Sequence, residues 1–105
     1  ERVMIAFLVG VAAAEKGKDV GMFLTKDAVH LAGPGRAVGV ACEGCPPIER
    51  LFEQYAAAGG KLLACPICVT SRNLNDEPLV ENARLAGATP LWDWIGDESA
   101  TVFSY

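Results

Sequence analysis

Clustered basic residues are missing from this chain: lysine and arginine total 9 against 13 aspartates and glutamates, the formal net charge is −4, and nowhere do the basic side chains gather. Proteins that hold a phosphate backbone do so with such clusters, so no nucleic-acid partner is expected. Long hydrophobic runs are missing too. The apolar stretch from Val3 to Ala14 contains Gly10 and falls short of the roughly 20 residues that a bilayer span requires. It also lacks the order of basic, apolar and small residues that marks a secretory signal, so neither a membrane partner nor export is expected. Histidine occurs once, at His30, which leaves a single candidate for a cysteine–histidine pair. No repeat, low-complexity tract or linker divides the 105 residues, and that length suits one small domain. Charged residues make up only 21% and hydrophobic ones 51%, a balance that leaves apolar surface for a partner or a second copy of the chain.

What the chain does have is four cysteines, all in two CxxC pairs: "ACEGCPPI" (41–48) holds Cys42 and Cys45, and "ACPICV" (64–69) holds Cys65 and Cys68. With no export signal a cytoplasmic location is expected, where thiols are kept reduced. Paired cysteines there serve more often as metal ligands or catalytic groups than as structural staples.

The pattern along the chain alternates between helical and extended. Residues 1–16 are rich in alanine and other apolar residues and end at Gly17, which suits a helix closed by a glycine; a strand at Val3–Val9 is the competing reading, because a short apolar run does not reveal its period. A buried strand is expected at 19–25, a short helix at 26–32 stopped by Gly33-Pro34-Gly35, and an extended segment at 37–41. Residues 46–58 carry the clearest pattern. Ile48, Leu51, Phe52, Tyr55 and Ala56 share one helical face, and Glu49, Arg50, Glu53 and Gln54 fill the other. A strand follows at 61–67, ended by Pro66; residues 68–87 mix loop with short helical turns. Thr89 and Pro90 then read as the cap and first residue of a helix ending at Gly96, and 100–105 reads as a closing strand. Alternation without hairpin signals predicts an α/β fold, a parallel sheet flanked by helices on both faces in a single three-layer domain.

In such a fold the strand carboxyl ends and the following helix amino ends share one edge, the usual ligand-binding edge. Cys45 precedes the helix that opens at Pro46, and Cys65 ends the next strand, so both pairs are expected at that edge. Helix amino termini favour thiolate, and Arg72, one turn beyond Cys68, adds positive potential. Three chemistries stay open. One is sulfur transfer on an activated cysteine. Another is a structural zinc site on Cys42, Cys45, Cys65 and Cys68, although no cofactor is required, and the spacing differs from a zinc knuckle by placing a helix between the pairs. The last is a dithiol redox cycle within one CxxC. Against all three stands the packing of cysteine as a small buried hydrophobe.

The remaining candidates have plainer readings. His30 sits on a short apolar helix and reads as packing. Trp92 and Trp94 point to different faces of their helix, one toward the core and one as an interface anchor. The carboxylates Glu43, Asp76, Glu77, Glu81, Asp93, Asp97 and Glu98 are scattered, so no acid/base pair is assigned. Gly33-Pro34-Gly35 lacks the Lys-Ser/Thr of a phosphate loop.

Taken together, "ERVMIAFLVGVAAAEKGKDV", "MFLTKDAVHLA", "PPIERLFEQYAAAGGKLLACPIC" and "ATVFSY" make the sequence similar to the DsrE/DsrF-like family of small sulfur-relay proteins over nearly its whole length. The resemblance implies a single DsrE/F-like domain over 1–105, assembly into trimers or hexamers, and a cysteine after a central strand that carries a persulfide between donor and acceptor proteins. That cysteine falls on Cys65, and Cys68 or the Cys42/Cys45 pair is the candidate to resolve or receive its sulfur. The family usually places a strand before the first helix; here either that strand is absent or residues 3–9 take its place. The pair Cys42 and Cys45 is not a general feature of the family's sulfur carriers.

Overall fold

The computed structural model describes residues 2–35, 44, 47–96, 100–102 and 104. The expected extended segment at 37–41 and the cysteines Cys42 and Cys45 lie outside them.

Helix α1 (Arg2–Glu15) opens the described chain, so the competing reading of 3–9 as a strand is set aside. It closes on Gly17 at φ 83°, a left-handed position that glycine occupies without the Cβ penalty. Strand β1 (Gly21–Leu24) follows, then a 3-10 segment (Lys26–Ala32) where an ordinary short helix was expected. Helix α2 (Ile48–Ala57) leads to β2 (Lys61–Ala64), α3 (Pro66–Ser71), β3 (Ala83–Leu85) and α4 (Ala88–Ile95). The strands form a parallel sheet in the order β1-β2-β3, with Phe23 beside Leu63 and Leu63 beside Arg84. β2 is therefore central.

Alternation along the strands sorts the layers. Met22, Leu24, Leu62 and Ala64 face α1 and α2 and join Met4, Phe7, Val11, Ile48, Leu51 and Tyr55 in the main core. A Cβ on Gly10 of α1 would strike the Met22 methyl, which shows how closely that helix lies on the sheet. Gly21 and Leu63 point the other way, and the Trp94 ring of α4 lies 3.0 Å from the place a Cβ on Gly21 would occupy. Helices thus cover both faces, as the alternating pattern predicted.

Tyr55 fixes the direction of α2. Its ring is fully buried edge-on to Phe7, and its hydroxyl donates to the Lys61 carbonyl oxygen at 2.7 Å. The carboxyl end of α2 therefore sits where β2 begins, and its amino end, at Ile48, lies toward the edge where β2 stops. A Cβ on Gly60 would collide with the Tyr55 ring, so this turn takes only glycine.

Four expectations need correction. The strand expected at 61–67 stops at Ala64, and Pro66 is the first residue of α3: its fixed φ and missing N–H suit a helix start, where the N–H has no partner anyway. The region 68–87 hides strand β3, only 3 residues long on the sheet's edge, too short to show a period. Helix α4 starts at Ala88 behind Gly87 rather than behind Thr89, and Pro90 is tolerated because the first turn's N–H groups lack carbonyl partners. Residues 100–102 and 104 of the expected closing strand are not in a strand, and Val102 is exposed; its residues 103 and 105 lie outside the described ones.

Candidate functional site

Cys65 stands at the junction of the central strand and α3. Its N–H donates to the Leu24 carbonyl at 3.0 Å, continuing the β1–β2 ladder by one residue, and its carbonyl accepts from the Val69 N–H at 3.0 Å, the first bond of α3. Both backbone groups are thus occupied in the sheet and in the helix. The side chain is left at the carboxyl edge, half-buried, with its thiol free.

The sequence Cys65-Pro66-Ile67-Cys68 makes this arrangement locally. Ala64 is the last ladder residue, Cys65 takes the extended conformation of a helix cap at φ −62° and ψ 119°, and Pro66 starts the turn. One turn of α3 brings Cys68 back beside Cys65. Cys68 is also half-buried with a free thiol. The Cys65 sulfur makes no full capping hydrogen bond, yet its surroundings favour the thiolate. Its pKa is held below the ordinary thiol value, most by the Cys68 amide, next by the Cys68 thiol and, less, by the Ile67 amide, while partial burial works in the opposite direction.

Arg72 reaches this site less directly than its position one turn on suggests. Its Nε donates to Asp27 Oδ1 at 2.9 Å, and its Nη1 donates to the Cys68 carbonyl at 3.3 Å and to Ser71 Oγ at 3.2 Å. The guanidinium therefore clamps α3 to the 3-10 segment, and Asp27 offsets its charge. The same pair holds the Asp27 carboxyl below its ordinary pKa, first through the Arg72 hydrogen bond and then through its charge. Asp27 had no signal in the sequence, since its partner is 45 positions away. Lys26, beside it, adopts φ 53°, a left-handed position unusual for a residue with a Cβ, and it turns the chain at the edge where β1 ends.

Two further elements border the thiols. The β3–α4 junction is close, since the Ala86 N–H donates to the Ala64 carbonyl at 3.0 Å and a Cβ on Gly87 would come within 3.9 Å of the Pro66 ring. Ile67, between the two cysteines, is 79% exposed. His30 lines a cleft with Val29, Gly33, Pro34, Val69 and Leu79, and neither cysteine borders that cleft. Trp94 packs on Gly21, whereas Trp92 is exposed, so the two tryptophans divide between sheet and solvent as their spacing implies. Among the described residues no three His, Cys, Asp or Glu side chains converge as a metal site would require. Cys65 and Cys68 supply two of the four thiolates in the zinc reading.

Comparison with known proteins agrees with this fold. The chain superposes on the crystal structure of the ychN protein from E. coli with a TM-score of 0.64 over 85% of this chain and 74% of that one, at 23% identity. At the sequence level the chain is 28% identical over 103 residues to an uncharacterised protein of Methanopyrus kandleri, covering 98% of this chain and 82% of the relative. The family model described as the DsrE/DsrF-like family matches residues 1–104, and the chain belongs to that family.

Proposed function

We propose that this protein is a sulfurtransferase-like persulfide carrier in which Cys65 takes up sulfane sulfur and passes it on. The observation that carries the reading is the placement of Cys65: its backbone is bonded on one side to β1 and on the other to α3, while its thiol faces the open edge beside Cys68. Membership of the DsrE/DsrF-like family supports it, because the family's active members use a cysteine after a central strand in this way.

The transfer is a displacement at sulfur. The Cys65 thiolate attacks the outer sulfur of a donor persulfide, the donor's S–S bond breaks, and the donor leaves as a thiolate while Cys65 becomes a persulfide. No net oxidant is consumed. An acceptor thiolate then attacks the outer sulfur of the Cys65 persulfide, and Cys65 returns as thiolate. In this reading Cys68 receives the sulfur within the chain, and its closeness to Cys65 supports that; Cys45 and Cys42 are the alternative receivers. Arg72 orders this edge by holding α3 to the 3-10 segment, and it contributes positive potential only as far as Asp27 leaves it uncompensated. In this reading the working unit is a cytoplasmic homo-oligomer, a trimer or hexamer, served by separate sulfur donor and acceptor proteins.

The test is intact mass after reduced protein is incubated with a low-molecular-weight persulfide. The wild type gains one sulfur atom, Cys65→Ser gains none, and Cys68→Ser still gains it. An adduct that survives in Cys65→Ser, or a chain that arrives with zinc bound and takes up no sulfur, contradicts the proposal.

A further inference from the structure

Helix α1 is apolar on both sides. Met4, Phe7, Val11 and Ala14 are buried in the core, yet the opposite side carries Ile5, Leu8 and Val9 at 45%, 39% and 38% exposure, with Ala12 also exposed. These positions follow the spacing of one helical stripe. Arg2 and Glu15, the helix's only charged residues, are both exposed and stand at its two ends. Helix α2 packs beside α1 and shows what a solvated outer face looks like in this protein, with Glu49, Arg50, Glu53 and Gln54 in the corresponding place. A helix without such a face belongs against another surface.

We infer that the outer ridge of α1 is a two-fold contact with a second copy of this chain, the two α1 helices running antiparallel about an axis between Leu8 and Val9. In that register Leu8 faces the partner subunit's Val9, Ile5 faces the partner subunit's Ala12, and Arg2 faces the partner subunit's Glu15, each contact occurring twice. A larger side chain thus meets a smaller one, and each Arg2 meets a Glu15 of opposite charge, with exposed Lys16 directly beyond Glu15. A parallel pair would set Arg2 against the partner subunit's Arg2 and Glu15 against the partner subunit's Glu15. The charge pattern therefore selects the antiparallel arrangement, the isologous geometry of a closed dimer contact.

Sedimentation of the full chain tests this. The wild type sediments as an even-numbered assembly, and Leu8→Glu, which places two carboxylates near the axis, raises the dissociation constant of that contact by about a hundredfold or more, halving the native mass. Circular dichroism checks that this variant keeps its helices. Should it fail to fold, the end charges decide: Arg2→Glu weakens association about tenfold at low salt, and adding Glu15→Arg restores it to near the wild-type value. A monomeric or odd-numbered wild type, a folded Leu8→Glu variant of unchanged mass, or a double variant no tighter than Arg2→Glu alone overturns the inference.

Discussion

At the scale of single residues, the proposed chemistry rests on how little Cys65 can move and how well its thiolate is received. Its backbone N–H and carbonyl are both bonded within the protein, and the Cys68 amide and thiol face its sulfur. The lowered pKa has a direct kinetic consequence, because the thiolate is the nucleophile. Alkylation of Cys65 followed against pH in a Cys68→Ala background should show a midpoint below that of an ordinary thiol but above that of the wild-type Cys65, since the amide contribution remains and the thiol contribution is lost. A Cys65 midpoint unchanged by the substitution would mean that the second thiol does not assist. Tyr55 illustrates the opposite environment. Burial raises its pKa well above the ordinary tyrosine value, so the phenol stays neutral and keeps donating to the Lys61 carbonyl. Removing that hydroxyl in Tyr55→Phe should cost about 1 kcal/mol of unfolding free energy, measured by urea denaturation.

At the scale of elements, the junctions do the positioning. Between α2 and β2, Gly60 lets the strand start directly under the Tyr55 ring; Gly60→Ala forces the ring and the added methyl apart and should destabilise the protein by about 1–3 kcal/mol, seen as a lower urea midpoint with an unchanged slope. Between β2 and α3, Pro66 turns the chain so that Cys65 caps a helix and Cys68 returns to its side. Legibility in the sequence differed between these elements for physical reasons. Helix α2 was plain because its two faces differ in polarity, and α1 was recognisable from its alanine-rich run and terminal glycine. Strand β3 was hidden because its 3 residues give no period, with Arg84 and Leu85 both exposed at the edge. Pro66 reads in the sequence as the end of a strand, but the same missing N–H also fits the first position of a helix. The Arg72–Asp27 clamp had no local signature at all, for it depends on the sheet bringing two strand ends together.

At the scale of the whole molecule, a parallel sheet gathers its strand ends on one edge, and alternating strand and helix patterns were enough to foresee both that edge and the place of Cys65 on it. The partition of apolar surface was less legible: the sequence showed that α1 was hydrophobic, but only packing separates its core side from the ridge of Ile5, Leu8 and Val9. The sheet edge and the α1 ridge are separate features, one proposed for sulfur chemistry and the other for assembly. The most direct test of the central claim is to load the native protein with a low-molecular-weight persulfide, trap it with an alkylating reagent, cleave at Lys61 and Arg72, and locate the extra sulfur by fragmentation. It should reside on Cys65 in the peptide spanning 62–72; extra sulfur found instead on the peptide carrying Cys42 and Cys45, with Cys65 unmodified at every time point, would contradict the account.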